Sequence, residues 1–179
     1  MMDAGVRVFK IEGRARGPEY VRTVCECYNE AILAHLDGSY TEEKIRNWDE
    51  RLATVFNRGF WDGYYLGQRL GEWTHKYGSS ATRVKTHVGR VIKYFSKLGV
   101  AELELESGLI KEGEELLITG PTTGAVFFPA NEMRVADSIA PEITEKGIRF
   151  SVKVPEKVRP GDRLYVMRMV EEKGKSKFL

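Results

Sequence analysis

At 179 residues, 42% apolar and 30% charged, the chain has room for one large or two small globular domains and is too apolar for a disordered segment. Its 28 basic and 26 acidic residues leave a net charge of +2, which by itself names no partner. No apolar run approaches the ~20 residues of a membrane span, and the opening "MMDAGVRVFK" has no signal-peptide core, so a cytoplasmic location with no membrane partner is expected.

The first element is a strand over "VRVFKIEG". Val6, Val8, Lys10 and Glu12 would share one face, with Phe9 and Ile11 on the other, and Gly13, Gly17 and Pro18 end it. A helix follows in "PEYVRTVCECYNEAILAHL", opened by Pro18 and Glu19 and closed by Gly38. Val21, Val24, Cys25, Tyr28, Ile32 and Leu36 recur at spacings of three and four and form its apolar stripe. Cys25 and Cys27 are two positions apart on that helix and point in different directions, so neither a disulfide nor a metal pair is expected of them. Thr41 caps a second helix, with Glu42 and Glu43 in its first turn and an apolar stripe of Ile45, Trp48, Leu52, Val55 and Phe56. The next stretch, "NRGFWDGYYLGQ", sets aromatic residues between Gly59, Gly63 and Gly67. It reads as a packed aromatic loop or, alternatively, as a ligand-facing aromatic surface. The polar "GEWTHKYGSSATRVK" is the best domain boundary.

Beyond it the period becomes two. "HVGRVIKYF", "GVAELELE", "ELLITG", "GAVFFP", "EMRVA", "GIRFSVKVP" and "RLYVMRM" are predicted strands, with turns at "KEGEE" and "VRPGD". The turn glycines supply a positive φ, and the acids beside them cap backbone N–H groups. Inward positions are Val91, Leu103, Leu105, Leu117, Ile118, Val152, Val154, Leu164 and Val166, while Glu102, Glu104 and Glu106 point out. Short strands with regular turns make a closed or nearly closed β-barrel. The fold class is therefore α+β: an N-terminal strand plus two helices over residues 1–75, a linker over 76–83, the barrel over 84–170, and a basic tail over 171–179.

Two site candidates come from the residues alone. From Arg83 to Lys97 there are five basic residues, no acid and an aromatic pair, so Arg83, Lys85, Arg90, Lys93, Tyr94 and Lys97 are candidate nucleic-acid contacts: cations for phosphate, a ring for stacking. The alternative is that Tyr94 and Phe95 pack the barrel while the lysines are solvated. A hydrolytic site finds less support, since His35, His75 and His87 are far apart and no HExxH is present.

The barrel segment resembles the second-domain barrel of elongation factor Tu, with "KEGEE" and "RPGDR" as its paired turns. The whole series "AGVRVFKIEGR", "VFNRGF", "VGRVIKYFSKLGVAELELESGLIKEGEELLITGPTTGAV" and "VKVPEKVRPGDRLY" resembles the C-terminal part of peptidase family U32, the collagenase-like proteins. That resemblance implies a TIM-barrel-like catalytic domain upstream, with "KIEGR" on its last strand. Lys10, Glu12 and Arg14 then become candidate catalytic residues of an incomplete site, whereas Ala15-Arg16-Gly17 depart from the more usual Met-Lys-Ser/Arg form. It also implies either proteolysis or hydroxylation of tRNA or rRNA bases, the latter with an iron–sulfur cluster whose cysteines lie upstream. Cys25 and Cys27 match none of those cysteines, so no cofactor is expected in this chain. The role implied is accessory, positioning RNA or a polypeptide. A peptidase component and a pure protein-interaction module are the alternatives. The partners implied are RNA, an upstream catalytic domain or partner subunit, or a second copy joined through the N-terminal strand.

Overall fold

A computed structural model describes residues 1–60, 79–136 and 138–170. The chain divides into two compact units, residues 1–81 and 82–179.

In the first unit, α1 (Pro18–Leu36) has proline in its opening turn, where a missing N–H costs nothing. It ends where Gly38 takes φ +75°, a conformation that side chains with a Cβ rarely adopt. α2 (Glu42–Thr54) is capped as expected: Thr41 Oγ1 accepts the Lys44 N–H at 3.3 Å. The helices join through buried Cys27, Ala34 and Trp48, with Ala31, Ile45 and Leu52 alongside.

This pairing corrects the predicted stripe of α1. Val24 is buried, but Val21, Cys25, Tyr28 and Leu36 are exposed. The Trp48 ring is large, and only the small Cys27, Ala31 and Ala34 let α2 come close enough to bury it. Glu30 fixes the same rotation, accepting hydrogen bonds from Trp48 Nε1 at 2.9 Å and Arg51 Nη1 at 2.6 Å.

The N-terminal strand is a second correction. Residues 6–13 form neither helix nor strand, and no ladder runs along them among the described residues. A strand is defined by its pairing, and among the described residues this unit offers no sheet edge to pair with. Val6 and Phe9 instead lie beside Ile32, His35 and Leu36 of α1. Asp3 reaches His35 Nε2 at 3.3 Å. Val6, Phe9 and Ile11 are half-buried, while Val8 is 85% exposed on the other side.

The second unit holds β1 (Arg83–Phe95), β2 (Val100–Leu105), β3 (Ile110–Lys111), β4 (Glu115–Gly120), β5 (Gly124–Pro129), β6 (Arg134–Val135), β7 (Ser138–Ile139), β8 (Glu142–Ile143), β9 (Arg149–Lys153) and β10 (Arg163–Met169). Eight of these form an antiparallel sheet in the order β5-β4-β10-β1-β2-β9-β6-β7, and β3 pairs with β8. Val126 and Phe128 at one end of that order share a single core with Met133 beside β6 at the other, and with Leu103 and Leu164 between them. The sheet therefore curls around its own apolar face. Eight of the nine predicted inward positions join this core, Leu103 and Leu164 with no exposure, whereas Leu117 alternates with the core residues Leu116 and Ile118 and is buried on the outer face, opposite Tyr165.

Both turns are built as the chain predicts. Gly113 and Gly161 take φ of +84° and +87°. Glu114 Oε2 accepts the Lys111 N–H at 2.8 Å, and Asp162 Oδ2 accepts the Arg159 N–H at 2.8 Å. Asp162 also accepts from Thr123 Oγ1 at 2.5 Å, which ties this turn to the one between β4 and β5.

Strand β1 contains two bulges, one between His87 and Gly89 and one between Val91 and Lys93. Each adds a residue and reverses the alternation. As a result Arg83, Lys85, His87, Arg90, Lys93 and Phe95 share the outer face, although their numbers change parity twice. Val88, Val91 and Tyr94 face the core.

Candidate functional site

The basic face of β1 and the surroundings of Glu12 and Arg14 are the two places to which the sequence directs attention. On β1, Arg83, Lys85, Arg90 and Lys93 do come together on one face. Lys97 lies in the exposed turn between β1 and β2. Tyr94 does not join them, because its ring packs on the barrel core. Phe95 takes its place on the outer face, beneath Lys93 Nζ at 4.9 Å from the ring centre.

That face is free of acids along the strand but not across it. Arg83 pairs with Glu115 of β4. Arg90 reaches Glu104 at 3.0 Å and Glu106 at 3.4 Å, Glu104 also meets Arg149 at 3.4 Å, and His87 Nε2 lies 3.7 Å from Glu106. Lys85 Nζ sits 5.1 Å from the centre of the Tyr165 ring. The signal was present in the sequence: Glu102, Glu104 and Glu106 alternate outward on β2, the hairpin partner of β1, so they had to face its cations.

In the first unit, Lys10, Glu12 and Arg14 are all exposed. Glu12 Oε1 accepts the backbone N–H of Arg14 at 2.9 Å, which fixes its carboxylate at the N-terminal segment's end. Glu12 and Arg14 line an open cleft of about 760 Å³, and Lys10 does not. Its other walls are Arg16 before α1, Tyr20 and Tyr28 on α1, and Phe56, Arg58 and Phe60 from the segment leaving α2. The Arg16 guanidinium carbon lies over the Phe56 ring, 3.6 Å from its centre, and that of Arg58 lies 6.0 Å from the same centre. Sequence reasoning missed Arg16, Arg58 and Phe56 as site residues. They sit in "GRAR" and "VFNRGF", about forty residues apart, and only the packing of α2 on α1 makes them neighbours. Of the aromatic loop, Phe60 is 62% exposed and faces this cleft, whereas Trp61, Tyr64 and Tyr65 lie outside the described residues.

The remaining chemistry-bearing groups are structural in character. Burial pushes the Cys27 thiol above its ordinary pKa, while Cys25 is exposed. One thiol is packed against α2 and the other faces outward, so the two do not form a ligand pair. Among the described residues no group of three His, Cys, Asp or Glu is placed to hold a metal ion. The hydrogen bond from Arg51, with a smaller one from Trp48, holds the Glu30 carboxyl below the usual glutamate value, and the same contact raises Arg51. No described helix is long and apolar enough to cross a membrane.

The model of peptidase family U32 matches residues 1–75, the unit that contains the cleft. Over this first unit the chain matches the U32 family. It is 65% identical over 172 residues to a collagenase of Porphyromonas gingivalis, covering 96% of this chain and 47% of that protein. An uncharacterized protease of Methanocaldococcus jannaschii is 37% identical over 163 residues, covering 89% of this chain and 39% of that protein. The chain thus spans about half the length, or less, of these relatives. Among solved structures, the C-terminal domain of a Geobacillus thermoleovorans protein of the U32 peptidase type matches with TM-score 0.42 and 18% identity, over 49% of this chain and 99% of that domain.

Proposed function

We propose that this chain is the substrate-holding, C-terminal part of a collagenase-like U32 protein, and that the reacting groups belong to a catalytic domain upstream or in a partner subunit. The observation that carries the reading is the cleft of the family-matched unit: Glu12 and Arg14, the residues of the "KIEGR" motif, sit on its wall beside cations and rings. Such a surface binds and orients, because arginine forks and aromatic faces supply affinity without bond making. The substrate is a polypeptide in the first reading, following the name of the 65% identical relative. RNA is the second, favoured by the pairing of cations with rings in the cleft and by Lys93 over Phe95 on β1. In the RNA reading the cleft holds the strand for base hydroxylation elsewhere in the protein, where an iron–sulfur cluster would be bound.

Retention of denatured collagen and of tRNA by the purified chain tests this. The chain alone is expected to retain one of them without altering it. Retention of tRNA that falls steeply with salt selects the RNA reading, and retention of denatured collagen selects the polypeptide reading. Hydrolysis of collagen by the chain alone would overturn the accessory role. Retention of neither would overturn substrate holding.

A further inference from the structure

We propose that Arg14, Arg16 and Arg58 form an oxyanion-binding site for a ligand carrying a phosphate or carboxylate on a flat ring. The inference shares with the reading above only the cleft in which the ligand lies.

Arg22, Arg51, Arg83, Arg90, Arg149 and Arg168 each meet a glutamate within 4 Å. Arg7, Arg46, Arg134, Arg159 and Arg163 form no ion pair with an acid among the described residues, and neither do Arg14, Arg16 and Arg58, but these last three line one cleft together. Among the described residues the only carboxylate on its wall is Glu12, and one of its oxygens is already occupied by the Arg14 N–H. Three like charges gathered with one acid raise the local positive potential, an arrangement that an anion relieves.

Geometry adds the second requirement. The Arg16 guanidinium lies over Phe56, and its N–H groups are left for an acceptor. A fork held in this way meets two oxygens of one carboxylate or phosphate at once. Phe60 and Tyr28 expose ring surface on the same walls. A bare anion leaves those rings wet, and an uncharged ring leaves the guanidinium groups unanswered. A ligand with both parts satisfies both.

Small probes separate the parts. The full chain is titrated with phenyl phosphate, benzoate, inorganic phosphate and benzyl alcohol, with amide shifts followed by NMR. Phenyl phosphate or benzoate is expected to move the amides of residues 12–16 and 56–60 saturably. Inorganic phosphate is expected to bind about tenfold more weakly and benzyl alcohol more weakly still. The stronger of the first two identifies phosphate or carboxylate as the natural group. Arg16→Gln with Arg58→Gln is expected to weaken the preferred probe about tenfold, and Arg16→Lys, which keeps the charge but loses the fork, to weaken it in part. Triple replacement of Arg83, Lys85 and Lys93 by glutamine is expected to leave it unchanged. Equal binding of benzyl alcohol, loss of binding in the β1 variant, or no saturable shift with any probe would overturn the site. No polymer is present in this titration, so failure of collagen or tRNA retention does not affect its outcome, and the reverse also holds.

Discussion

Replacing Asp162 with alanine removes the group that joins two turns of the barrel. The side chain is 5% exposed. Its Oδ2 accepts the Arg159 N–H at 2.8 Å and the Thr123 hydroxyl at 2.5 Å, and Thr123 Oγ1 accepts in turn from Arg159 Nη1 at 3.2 Å. A hydrogen bond to a charged acceptor contributes about 1.5–3 kcal/mol, so two contribute about 3–6 kcal/mol. Both donors are only part-buried, and water recovers some of that, which leaves an expected loss of about 2–4 kcal/mol. The neighbouring backbone is adapted to the carboxylate: a Cβ at Gly120 would overlap Asp162 Oδ1. Urea unfolding followed by far-UV circular dichroism and by barrel amide signals reads the effect as a lower midpoint at unchanged slope. Asp162→Asn retains one oxygen acceptor and is expected to lose about half as much. An alanine variant within about 0.5 kcal/mol of the parent would show that the acid does not hold the turns together.

Four further outcomes are expected. A fragment of residues 84–170 gives a dispersed NMR spectrum without the first unit, and Leu103→Ala, at a fully buried position, costs about 2–5 kcal/mol; a collapsed, undispersed spectrum refutes independent folding. Glutamine at Arg90, Lys93 and Lys97 lowers the salt slope of any tRNA binding by less than three units, at about one unit for each phosphate no longer neutralised, because Glu104 and Glu106 already occupy Arg90; a full three-unit drop would show that these pairs open on binding. The Glu30 carboxyl is held low by Arg51, so its stabilisation of the helix pair is present above the ordinary value of 4.5 and is lost as pH falls through and below it; thermal unfolding of Glu30→Gln is expected to vary less between pH 6 and pH 3 than that of the parent, and parallel pH profiles would refute the assignment (pH values chosen about that pKa). Finally, exposed Val8 and the backbone of residues 7–12, which makes no backbone hydrogen bond among the described residues, favour association through this segment; a lower mass in solution for a chain lacking residues 1–13 supports it, and a strictly monomeric full chain refutes it.

The barrel was the most legible part of the chain, because period-two alternation fixes which face of a long strand is buried. Leu103 and Leu105 against Glu102 and Glu104 needed nothing else. β3, β7 and β8 are two residues each, too short to carry any period, and were missed. The helices were legible by their ends: Pro18, Thr41 and Gly38 act locally. The buried face of α1 was not, because it depends on Trp48 from another helix, and small residues such as Ala31 and Ala34 add little to an apolar stripe. The site divides in the same way. Glu12 and Arg14 belong to one short motif and could be read together. Arg16 and Arg58 become neighbours only through a tertiary contact, and the neutralisation of Arg90 depends on a strand pairing that the residues of β1 alone do not contain.

The two bulges of β1 decide which losses of length its faces can survive. A strand with uniform alternation turns over when one residue is lost. Here Val88 is the residue that the first bulge adds: without it His87 would still oppose Tyr165 on the outer face and Gly89 would still oppose Leu164 on the core face, so both halves of the strand would keep their sides. Gly89 itself has to stay, since any Cβ there would overlap the carbonyl oxygen of Glu104. In a deletion scan of this chain, removal of Val88 should therefore cost little beyond one buried valine side chain, whereas removal of Thr86 or Arg90 should turn part of the strand over.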